Sequence, residues 1–310
     1  MSIIRRSKLV VILGPTASGK TRLSLELAKK YNGEIISADS RQIYRGMDIG
    51  TAKASGIWKK IQGAEYLEVE GIPHFMIDLV DPDGEFTLLD FQRQAVSCVQ
   101  KIHARGKLPL LVGGTGLYIA AVVHNYHIPQ GSREKNFREF LETKTNEQLY
   151  LELLLLAPDT ANKIDKNNKR RIIRALEVAR QTGGEFTALT QKGEPLFDVL
   201  QLGVFVDREV LYERINERVD DMIYQGLVHE ASELLTKYDA SLPSMSGIGY
   251  RQMVGHIQGN ISLADAIRMI KRDTRRYARR QMTWFRRETG IQWVTTYEEA
   301  DACISNFLKA

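Results

Sequence analysis

The stretch GPTASGKT, residues 14–21, decides the fold, because it matches the phosphate-loop pattern G-x-x-x-x-G-K-[ST] at every fixed position. The apolar run Leu9–Leu13 precedes it and the amphipathic stretch Thr21–Tyr31 follows it, so we expect a strand to enter the loop and a helix to leave it. The glycines let the backbone wrap, so that N–H groups and the helix N-terminus point at an anion. Lys20 would neutralise the terminal phosphate, and the Thr21 hydroxyl would bind Mg²⁺. The loop predicts a Mg²⁺-bound diphosphate or triphosphate, without saying which.

Short apolar runs elsewhere in the chain are typical of buried parallel strands. We predict five strands: Leu9–Leu13, Glu34–Ala38, His74–Leu79, Leu108–Val112 and Leu200–Val206. Amphipathic stretches separate them, and one of these, Thr87–Arg105, begins with a predicted capping box of Thr87 and Asp90. Strands that alternate with helices predict an α/β fold, here a P-loop NTPase-like parallel sheet flanked by helices.

The alternation stops in the middle of the chain. Residues 130–195 are mostly helical in pattern and contain charged turns such as Asp165–Arg171, which predicts a helical insertion domain between the fourth and fifth strands. Residues 1–129 and 196–310 would form a P-loop catalytic core with basic helices at its C-terminal end. After Val206 we expect helices almost to the end of the chain, with one turn-rich break at Leu242–Gly249.

Composition limits the class of protein. The 310 residues carry a net charge of +5, which favours an acidic partner. The two cysteines, Cys98 and Cys303, provide no framework of disulfides or zinc ligands. No run of about 18 apolar residues exists, and the apolar part of MSIIRRSKLVVIL is too short for a secretory signal. We therefore expect a soluble, cytoplasmic, monomeric protein with no membrane partner.

Polar side chains follow several of the predicted strands, at the edge where a parallel sheet opens toward its ligand. Asp39 comes directly after the second strand, where its carboxylate could accept a proton from a nucleophile. The alternatives for Asp39 are a helix N-cap or an outer ligand of Mg²⁺. Asp78, at the end of the third strand, is a further candidate for a Mg²⁺ role, although it would equally serve to cap the following turn.

The fourth strand ends in VGGTGLY, residues 112–118, a small turn with a hydroxyl at Thr115. An ATPase often places an acidic Mg²⁺ ligand at such a strand end. The turn instead suits the close approach of a bulky second substrate, and the alternative is an ordinary strand-to-helix turn.

One predicted helix is strongly basic, because the stretch Arg268–Arg287 carries nine cations and one anion. Five arginines fall along one helical stripe: Arg268, Arg272, Arg275, Arg279 and Arg286. A second face repeats every seven residues and is expected to pack inward: Ile270, Tyr277 and Trp284. The insertion adds a second basic patch: Lys169, Arg170, Arg171 and Arg174. A solvated face usually mixes charge signs, so the two basic surfaces predict contact with a folded RNA.

Six motifs in a fixed order cover the chain from Leu9 to about Trp293. They are GPTASGKT (14–21), ISADSRQIYRGMDIGTAK (36–53), LLVGGTGLY (110–118), RALEV (174–178), GIGYRQM (247–253) and RRQMTWFRR (279–287). In their order and spacing the chain resembles the tRNA dimethylallyltransferases, also called tRNA isopentenyltransferases. It resembles the bacterial type, because its two widely spaced cysteines cannot form the zinc finger that eukaryotic relatives can carry.

The resemblance implies that the loop holds the diphosphate of dimethylallyl diphosphate rather than ATP, with Mg²⁺ at Thr21. The second substrate would be the anticodon stem-loop of tRNAs that read codons starting with U. The N6 amine of the adenosine 3′-adjacent to the anticodon would attack the allylic carbon, and pyrophosphate would leave. By similarity Asp39 is the general base, Lys20 neutralises the leaving group, and Thr115 hydrogen-bonds near the same site.

The resemblance also implies two sets of binding residues. Those for the diphosphate are Gly14, Pro15, Thr16, Ala17, Ser18, Gly19, Lys20, Thr21, Arg214 and Arg218. Those for tRNA are Asp39, Ser40, Arg41, Gln42, Thr115, Arg138, Arg170, Arg171, Arg174, Ser246, Gly247, Gly249, Tyr250, Arg251, Arg279, Arg280, Gln281, Thr283, Trp284 and Arg286. The pair Arg214 and Arg218 would equally suit a surface helix with i,i+4 Glu–Arg contacts. Arg170 stands where the family often has Gln, which favours phosphate binding and leaves no amide there for a base.

Three other functions share parts of this pattern. A P-loop kinase of a small metabolite or nucleotide shares the loop and the sheet but has no use for the basic helix. An adenylate isopentenyltransferase modifies a free nucleotide, which needs neither the helical insertion nor two basic surfaces. A non-catalytic RNA-binding protein with a nucleotide-gated loop would not need the carboxylate of Asp39 beside that loop.

Overall fold

The computed structural model of the protein describes residues 6–128, 135–182 and 191–310. The described strands are β1 Lys8–Leu13, β2 Gly33–Ala38, β3 Ile57–Ile61, β4 Ala64–Val69, β5 Ile72–Phe75, β6 Leu108–Gly113, β7 Asp198–Val204 and β8 Ile291–Val294. The described helices are α1 Lys20–Lys30, α2 Leu88–Ala104, α3 Gly116–Val123, α4 Lys135–Glu142, α5 Asn146–Leu156, α6 Pro158–Ala161, α7 Lys169–Thr182, α8 Arg208–Tyr224, α9 Leu227–Lys237, α10 Tyr250–Ile257, α11 Leu263–Phe285 and α12 Tyr297–Lys309.

The chain divides into two compact units, one formed by Met1–Val123 with Pro195–Ala310 and the other by His124–Glu194. The predicted domain boundary at residues 129–130 lies outside the described residues. No helix in the described part of the chain combines the length and the apolar character needed to cross a membrane.

The described strands form one sheet in the first unit, in the order β3-β4-β5-β2-β6-β1-β7-β8. Neighbouring strands from β5 to β8 are parallel, and β3 and β4 add an antiparallel edge. The central strand β1 is buried on both faces, because helices cover the two sides of the sheet. The predicted α/β fold with a parallel sheet flanked by helices is confirmed.

Successive side chains of β1 enter different cores, as the two-residue period of a strand requires. Leu9 packs with residues of α2 and α3 on one face, whereas Val10 packs with residues of α1 and α12 on the other. Helix α2 begins at the predicted capping box, in which Thr87 Oγ1 accepts a hydrogen bond from Asp90 N and the Asp90 carboxylate accepts one from Thr87 N. This prediction is confirmed.

Three strands lie outside the predicted set. β3 and β4 form a hairpin whose outer strand exposes Ile57 and Trp58, so it lacks the buried apolar run that marks the other strands. β8 has only four residues, too few to stand out from the helices around it. β5 ends at Phe75 rather than at Leu79, because Met76 and Asp78 have positive φ angles of 65° and 50°.

The second unit is a cluster of helices around a core of its own. The core residues include Leu141, Leu149, Leu153, Ile172, Ile173 and Leu176. Glu177 is buried beside them, with 1% of its surface exposed, and its carboxylate pairs with Arg138 at 3.1 Å and Arg174 at 3.2 Å. These two arginines, expected to contact tRNA, therefore neutralise a buried carboxylate. Arg170 and Arg171 are exposed at the start of α7.

Candidate active site

The phosphate loop connects β1 to α1 at the carboxyl edge of the parallel strands. Gly14 is required because a Cβ atom there would lie 3.0 Å from the Val204 carbonyl oxygen, and Gly19 because its φ is 89°. Gly19 is also the N-cap residue of α1, and no described side chain caps it. The first N–H groups of this helix are consequently available to an anion.

The side chain of Lys20 turns back into the loop. Its Nζ donates to the Pro15 carbonyl at 2.5 Å and lies 3.5 Å from Ser18 Oγ. Burial lowers the pKa of Lys20 to about 7; the Asp39 carboxylate acts in the opposite direction, and Arg218 in the same direction as burial. A bound anion would supply the counter-charge that holds this ammonium protonated.

Two cavities adjoin at this edge of the sheet. The phosphate cavity, of about 780 Å³, is lined by the loop from Thr16 to Thr21 and by the turn after β6. The second, of about 600 Å³, is called here the basic cavity, and its wall includes Ser40, Arg41, Ser246, Gly249, Arg251 and Arg280. The residues common to both walls are Thr16, Asp39, Thr51, Ala52, Arg218 and Tyr277. Asp39 therefore lies where the two cavities meet.

Asp39 directly follows β2 and is half-buried. Its Oδ1 accepts a hydrogen bond from Arg41 N at 2.8 Å, which fixes the carboxylate in an Asx turn. Among the described residues Oδ2 accepts no hydrogen bond. Since no helix begins here, Asp39 is not a helix N-cap, and one of its oxygens is open to a ligand.

Thr115 hydrogen-bonds to the turn that carries Asp39. The sequence had instead predicted a contact between Thr115 and the substrate. Thr115 Oγ1 accepts a hydrogen bond from Ser40 N at 3.0 Å and donates one to Ser40 Oγ at 3.3 Å. Thr115 lines neither cavity, because these partners already surround it. Its effect on chemistry therefore passes through Asp39 and Ser40.

The structure distinguishes the two arginines of α8 that the sequence left open. Arg218 lines both cavities, and burial lowers the pKa of its guanidinium. Arg214 lies one turn earlier, is exposed, and lines neither cavity. Of the two, Arg218 is therefore the one in the wall of the phosphate cavity. Gly14 and Pro15 also lie outside both walls, because they are buried behind the loop.

Two glutamines expected to contact tRNA are engaged inside the protein instead. Gln281 of α11 is 6% exposed; its Oε1 accepts a hydrogen bond from Thr16 N, and its Nε2 donates to the Gly114 carbonyl. Gln42 Nε2 donates to the Thr51 carbonyl at 3.2 Å, and its Oε1 accepts from Ser37. Both amides are thus hydrogen-bonded within the chain, and both residues line the phosphate cavity rather than the basic cavity.

Tyr250 was also expected to contact tRNA, but only 1% of its surface is exposed. Its hydroxyl donates to Glu230 Oε1 at 2.7 Å, and burial raises its pKa. The Glu230 carboxylate also accepts hydrogen bonds from three consecutive amides, Asp48 N, Ile49 N and Gly50 N, at 2.9, 2.8 and 3.1 Å. Glu230 was missed by sequence reasoning, because its partners are backbone groups about 180 residues away.

The basic helix α11 is only partly a free cationic surface. Asp273 pairs with Arg251 and Arg272 at 3.0 Å each and lies 3.7 Å from Arg276. Two further ion pairs reduce the positive charge of the helix near its start, Arg268 with Asp265 and Lys271 with Asp220, and Arg275 donates a hydrogen bond to Asn216. The predicted single-signed stripe is wrong there, because Asp265 and Asp273 of α11 itself and Asp220 of α8 pair with its cations.

The later part of α11 keeps its charge. Arg279 and Arg280 are exposed and have no ion pair within the described residues, and Thr283 and Arg286 are exposed beside them. Trp284 instead packs on the turn after β6, where a Cβ atom on Gly116 would lie 2.3 Å from Trp284 Cδ1. In the break before α10, Gly247 is buried.

Asp78 takes part in an ion pair rather than in the cavity. Its carboxylate binds the buried Nζ of Lys53, which also donates to the Tyr44 carbonyl at 2.6 Å. Burial raises the pKa of Asp78, against the opposite effect of Lys53. Asp78 lines neither cavity, so the expected Mg²⁺ role finds no support in its position.

A parallel sheet with a glycine-rich phosphate loop, a half-buried lysine of lowered pKa and an uncapped helix N-terminus defines a P-loop protein that binds a diphosphate or triphosphate. A family model described as IPP transferase matches residues 42–288, and one described as isopentenyl transferase matches residues 7–75. The chain belongs to the IPP transferase family.

Individual relatives agree with this assignment. The chain is 44% identical to the tRNA dimethylallyltransferase of Oceanobacillus iheyensis, over 93% of this chain and 91% of that one. It is 46% identical to that of Halothermothrix orenii, over 93% and 87%. The crystal structure of full-length tRNA isopentenylpyrophosphate transferase from Bacillus halodurans is similar with a TM-score of 0.70 at 40% identity, covering 98% of this chain and 96% of that one. A eukaryotic dimethylallyltransferase acting on tRNA is similar with a TM-score of 0.74 at 29% identity, covering 98% and 78%.

Proposed function

We propose that this protein transfers a dimethylallyl group from dimethylallyl diphosphate to the N6 amine of the adenosine 3′-adjacent to the anticodon, in tRNAs that read codons starting with U. The observation that carries the proposal is the position of Asp39 in the wall shared by the phosphate cavity and the basic cavity. A carboxylate there meets a diphosphate from one side and a nucleophile from the other. We expect the protein to act as a monomer in the cytoplasm, where its tRNA is found.

In this reaction a C–N bond forms as the allylic C–O bond breaks, and the electron pair leaves with the diphosphate. Lys20, Arg218 and the N–H groups at the start of α1 would stabilise the negative charge that develops on this leaving group. Asp39 would accept the proton that the attacking amine loses. Because Asp39 Oδ1 already accepts from Arg41 N, the proton goes to Oδ2.

The donor set suits Mg²⁺ bound together with its substrate. No group of three or more His, Cys, Asp or Glu side chains in the described ranges could hold a metal ion alone. Mg²⁺ commonly binds through one or two protein oxygens together with substrate phosphates. Thr21 lines the phosphate cavity and would supply such an oxygen, while the ion supplies charge neutralisation for the leaving diphosphate.

The tRNA would bind through exposed cations of both units, each considered by itself. In the first unit these are Arg279, Arg280, Arg286 and, at the basic cavity, Arg251; the half-buried Arg41 and Ser246 line the same cavity. In the second unit they are Arg170 and Arg171. The target adenosine has to leave its stack for its amine to reach Asp39, as base-modifying enzymes require.

The direct test is transfer of label from radiolabelled dimethylallyl diphosphate to unmodified tRNA in the presence of Mg²⁺. We expect label in the RNA, and no label when the target adenosine is replaced by guanosine. ATP hydrolysis stimulated by a small acceptor, with no transfer to tRNA, would support the P-loop kinase instead. Label on free adenine nucleotide but not on tRNA would support an adenylate isopentenyltransferase.

Arg218 and Arg214 form a matched pair for testing the diphosphate site. Arg218→Ala is expected to weaken binding of dimethylallyl diphosphate by roughly 10- to 100-fold, because a half-buried charge in the wall of the phosphate cavity is lost. Arg214→Ala, on the same helix but exposed, should bind it as the wild type does. Isothermal titration of each variant measures the difference, and equal affinities for both would contradict the assignment of Arg218.

The exposed end of α11 can be tested through the salt dependence of tRNA binding. Replacing Arg279 and Arg280 together by alanine should weaken tRNA binding and reduce the slope of log Kd against log salt by roughly 1 to 2. Filter binding at several salt concentrations gives this slope. Arg268→Ala is the control, because Arg268 already pairs with Asp265. A double variant with the wild-type slope would mean that these arginines are only solvated.

A further inference from the structure

We propose that Gln281 is a positioning residue that holds the phosphate loop in its anion-binding shape and thereby sets the affinity for the prenyl diphosphate. The inference rests on the proposed function for the identity of the ligand. It does not rest on a contact between Gln281 and RNA, which its burial disfavours.

The Gln281 amide joins three elements that lie far apart in sequence. Its Oε1 accepts a hydrogen bond from Thr16 N at 2.9 Å, and Thr16 belongs to the phosphate loop after β1. Its Nε2 donates to the Gly114 carbonyl at 2.8 Å, in the turn after β6. Both heavy atoms of the amide are engaged, and the side chain itself belongs to α11. The loop is thus fastened to a rigid helix and to a second strand end.

The turn after β6 packs closely against the Gln281 amide. A Cβ atom on Gly114 would lie 2.3 Å from Gln281 Nε2, so a larger residue there would displace the Gln281 amide. The same Cβ would lie 3.4 Å from the Gly14 carbonyl oxygen, which places the turn directly against the start of the loop. Gly114 is therefore explained by the approach of Gln281, whereas a Cβ atom on Gly113 would meet the backbone of Ala38.

Neighbouring residues of α11 bind the same turn and fix the direction of the helix. Tyr277 lies beside Thr115, and Trp284 packs on Gly116. Tyr277, Gln281 and Trp284 are four and three residues apart and share one helical face. Of these three, Gln281 is the one hydrogen-bonded to the phosphate loop.

Removing the amide would leave the Thr16 N–H and the Gly114 carbonyl without this partner. A buried backbone group that loses its partner seeks another, so the loop would shift from the position that its other N–H groups need. A small displacement of groups that bind a leaving anion has a large effect on binding and rate. Affinity for RNA should change little, because Arg279 and Arg280 remain exposed on the same helix.

The test compares Gln281→Met, which has a similar length and no hydrogen-bonding amide, with the wild type. We expect the Kd for dimethylallyl diphosphate with Mg²⁺, measured without tRNA, to rise roughly 10-fold or more. The Kd for unmodified tRNA should stay within about twofold of the wild type. Gln281→Asn is the second variant, because an amide one methylene shorter cannot reach both partners; the same pattern is expected if the methionine variant does not fold.

Gln92→Met is the matched control. Gln92 is 7% exposed and donates from Nε2 to the Ala121 carbonyl at 2.9 Å, but it lies on α2 and lines neither cavity. The Gln92→Met substitution should lower the melting temperature without changing the Kd for dimethylallyl diphosphate. A Gln281→Met protein that binds the diphosphate as the wild type does, or that loses only tRNA affinity, would overturn the inference. A wild-type protein that does not bind dimethylallyl diphosphate at all would overturn the proposed function instead.

Discussion

Replacing Asp39 by asparagine is expected to lower kcat by about 10²- to 10⁴-fold, the range typical of a lost general base. Asparagine retains an oxygen that can accept from Arg41 N, so the turn after β2 should persist. What disappears is the second oxygen, the one without a partner among the described residues, and with it the acceptor for the amine proton. Affinity for dimethylallyl diphosphate should remain within about twofold, because Lys20 and Arg218 are unchanged.

Single-turnover transfer to tRNA, with diphosphate binding measured separately, distinguishes the two effects. Asp239→Asn is the matched control, because Asp239 Oδ1 accepts from Ser241 N at 2.7 Å in the same turn geometry but lines neither cavity. It should be as active as the wild type. Full activity of Asp39→Asn would mean that Asp39 is not the general base and only stabilises the turn after β2.

Replacing Lys20 by methionine is expected to lower kcat/KM for dimethylallyl diphosphate by about 10²- to 10³-fold. The positive charge of Lys20 lies inside the phosphate loop, where burial has already lowered its pKa to about 7. A low-dielectric setting strengthens its attraction for the leaving diphosphate. Unlike Asp39→Asn, this change should weaken both binding and turnover. An unchanged Kd would show that the loop does not hold the diphosphate.

The lowered pKa of Lys20 also predicts that diphosphate binding depends on pH. Above pH 7 the ligand-free lysine is increasingly neutral, whereas a bound anion keeps it protonated. Binding should therefore weaken as pH rises through 7 and should take up a proton, which titrations in buffers of different ionisation enthalpy detect. Lys20→Arg keeps its charge and should bind without that uptake.

Local patterns in the sequence were enough to predict the features whose cause is local. The phosphate loop, the strand before it, the helix after it and the capping box of Thr87 and Asp90 all depend on residues within one or two turns. The alternation of strands and helices led to the α/β fold, and six short motifs led to the family. These predictions were confirmed because backbone geometry and hydrogen bonding act over a few residues.

Tertiary structure alone decided which side chains line the two cavities. Arg214 and Arg218 are one helical turn apart and equivalent in pattern, yet only Arg218 lines the cavities. From the sequence we predicted that Gln281 and Tyr250 contact RNA. Their hydrogen-bond partners instead lie on elements distant in sequence, and both side chains are buried.

The charges of α11 and α7 also depend partly on composition and partly on the fold. Counting signs along the sequence established that both helices are basic, which is a property of composition. Whether a cation is free depends on Asp220, Asp273 or Glu177, which the fold brings close to Lys271, Arg251 and Arg138. Sequence determined the loop, the fold class and the family. Only the packed structure determined which of its charged and polar groups remain unpaired, because pairing is fixed by distance in space rather than along the chain.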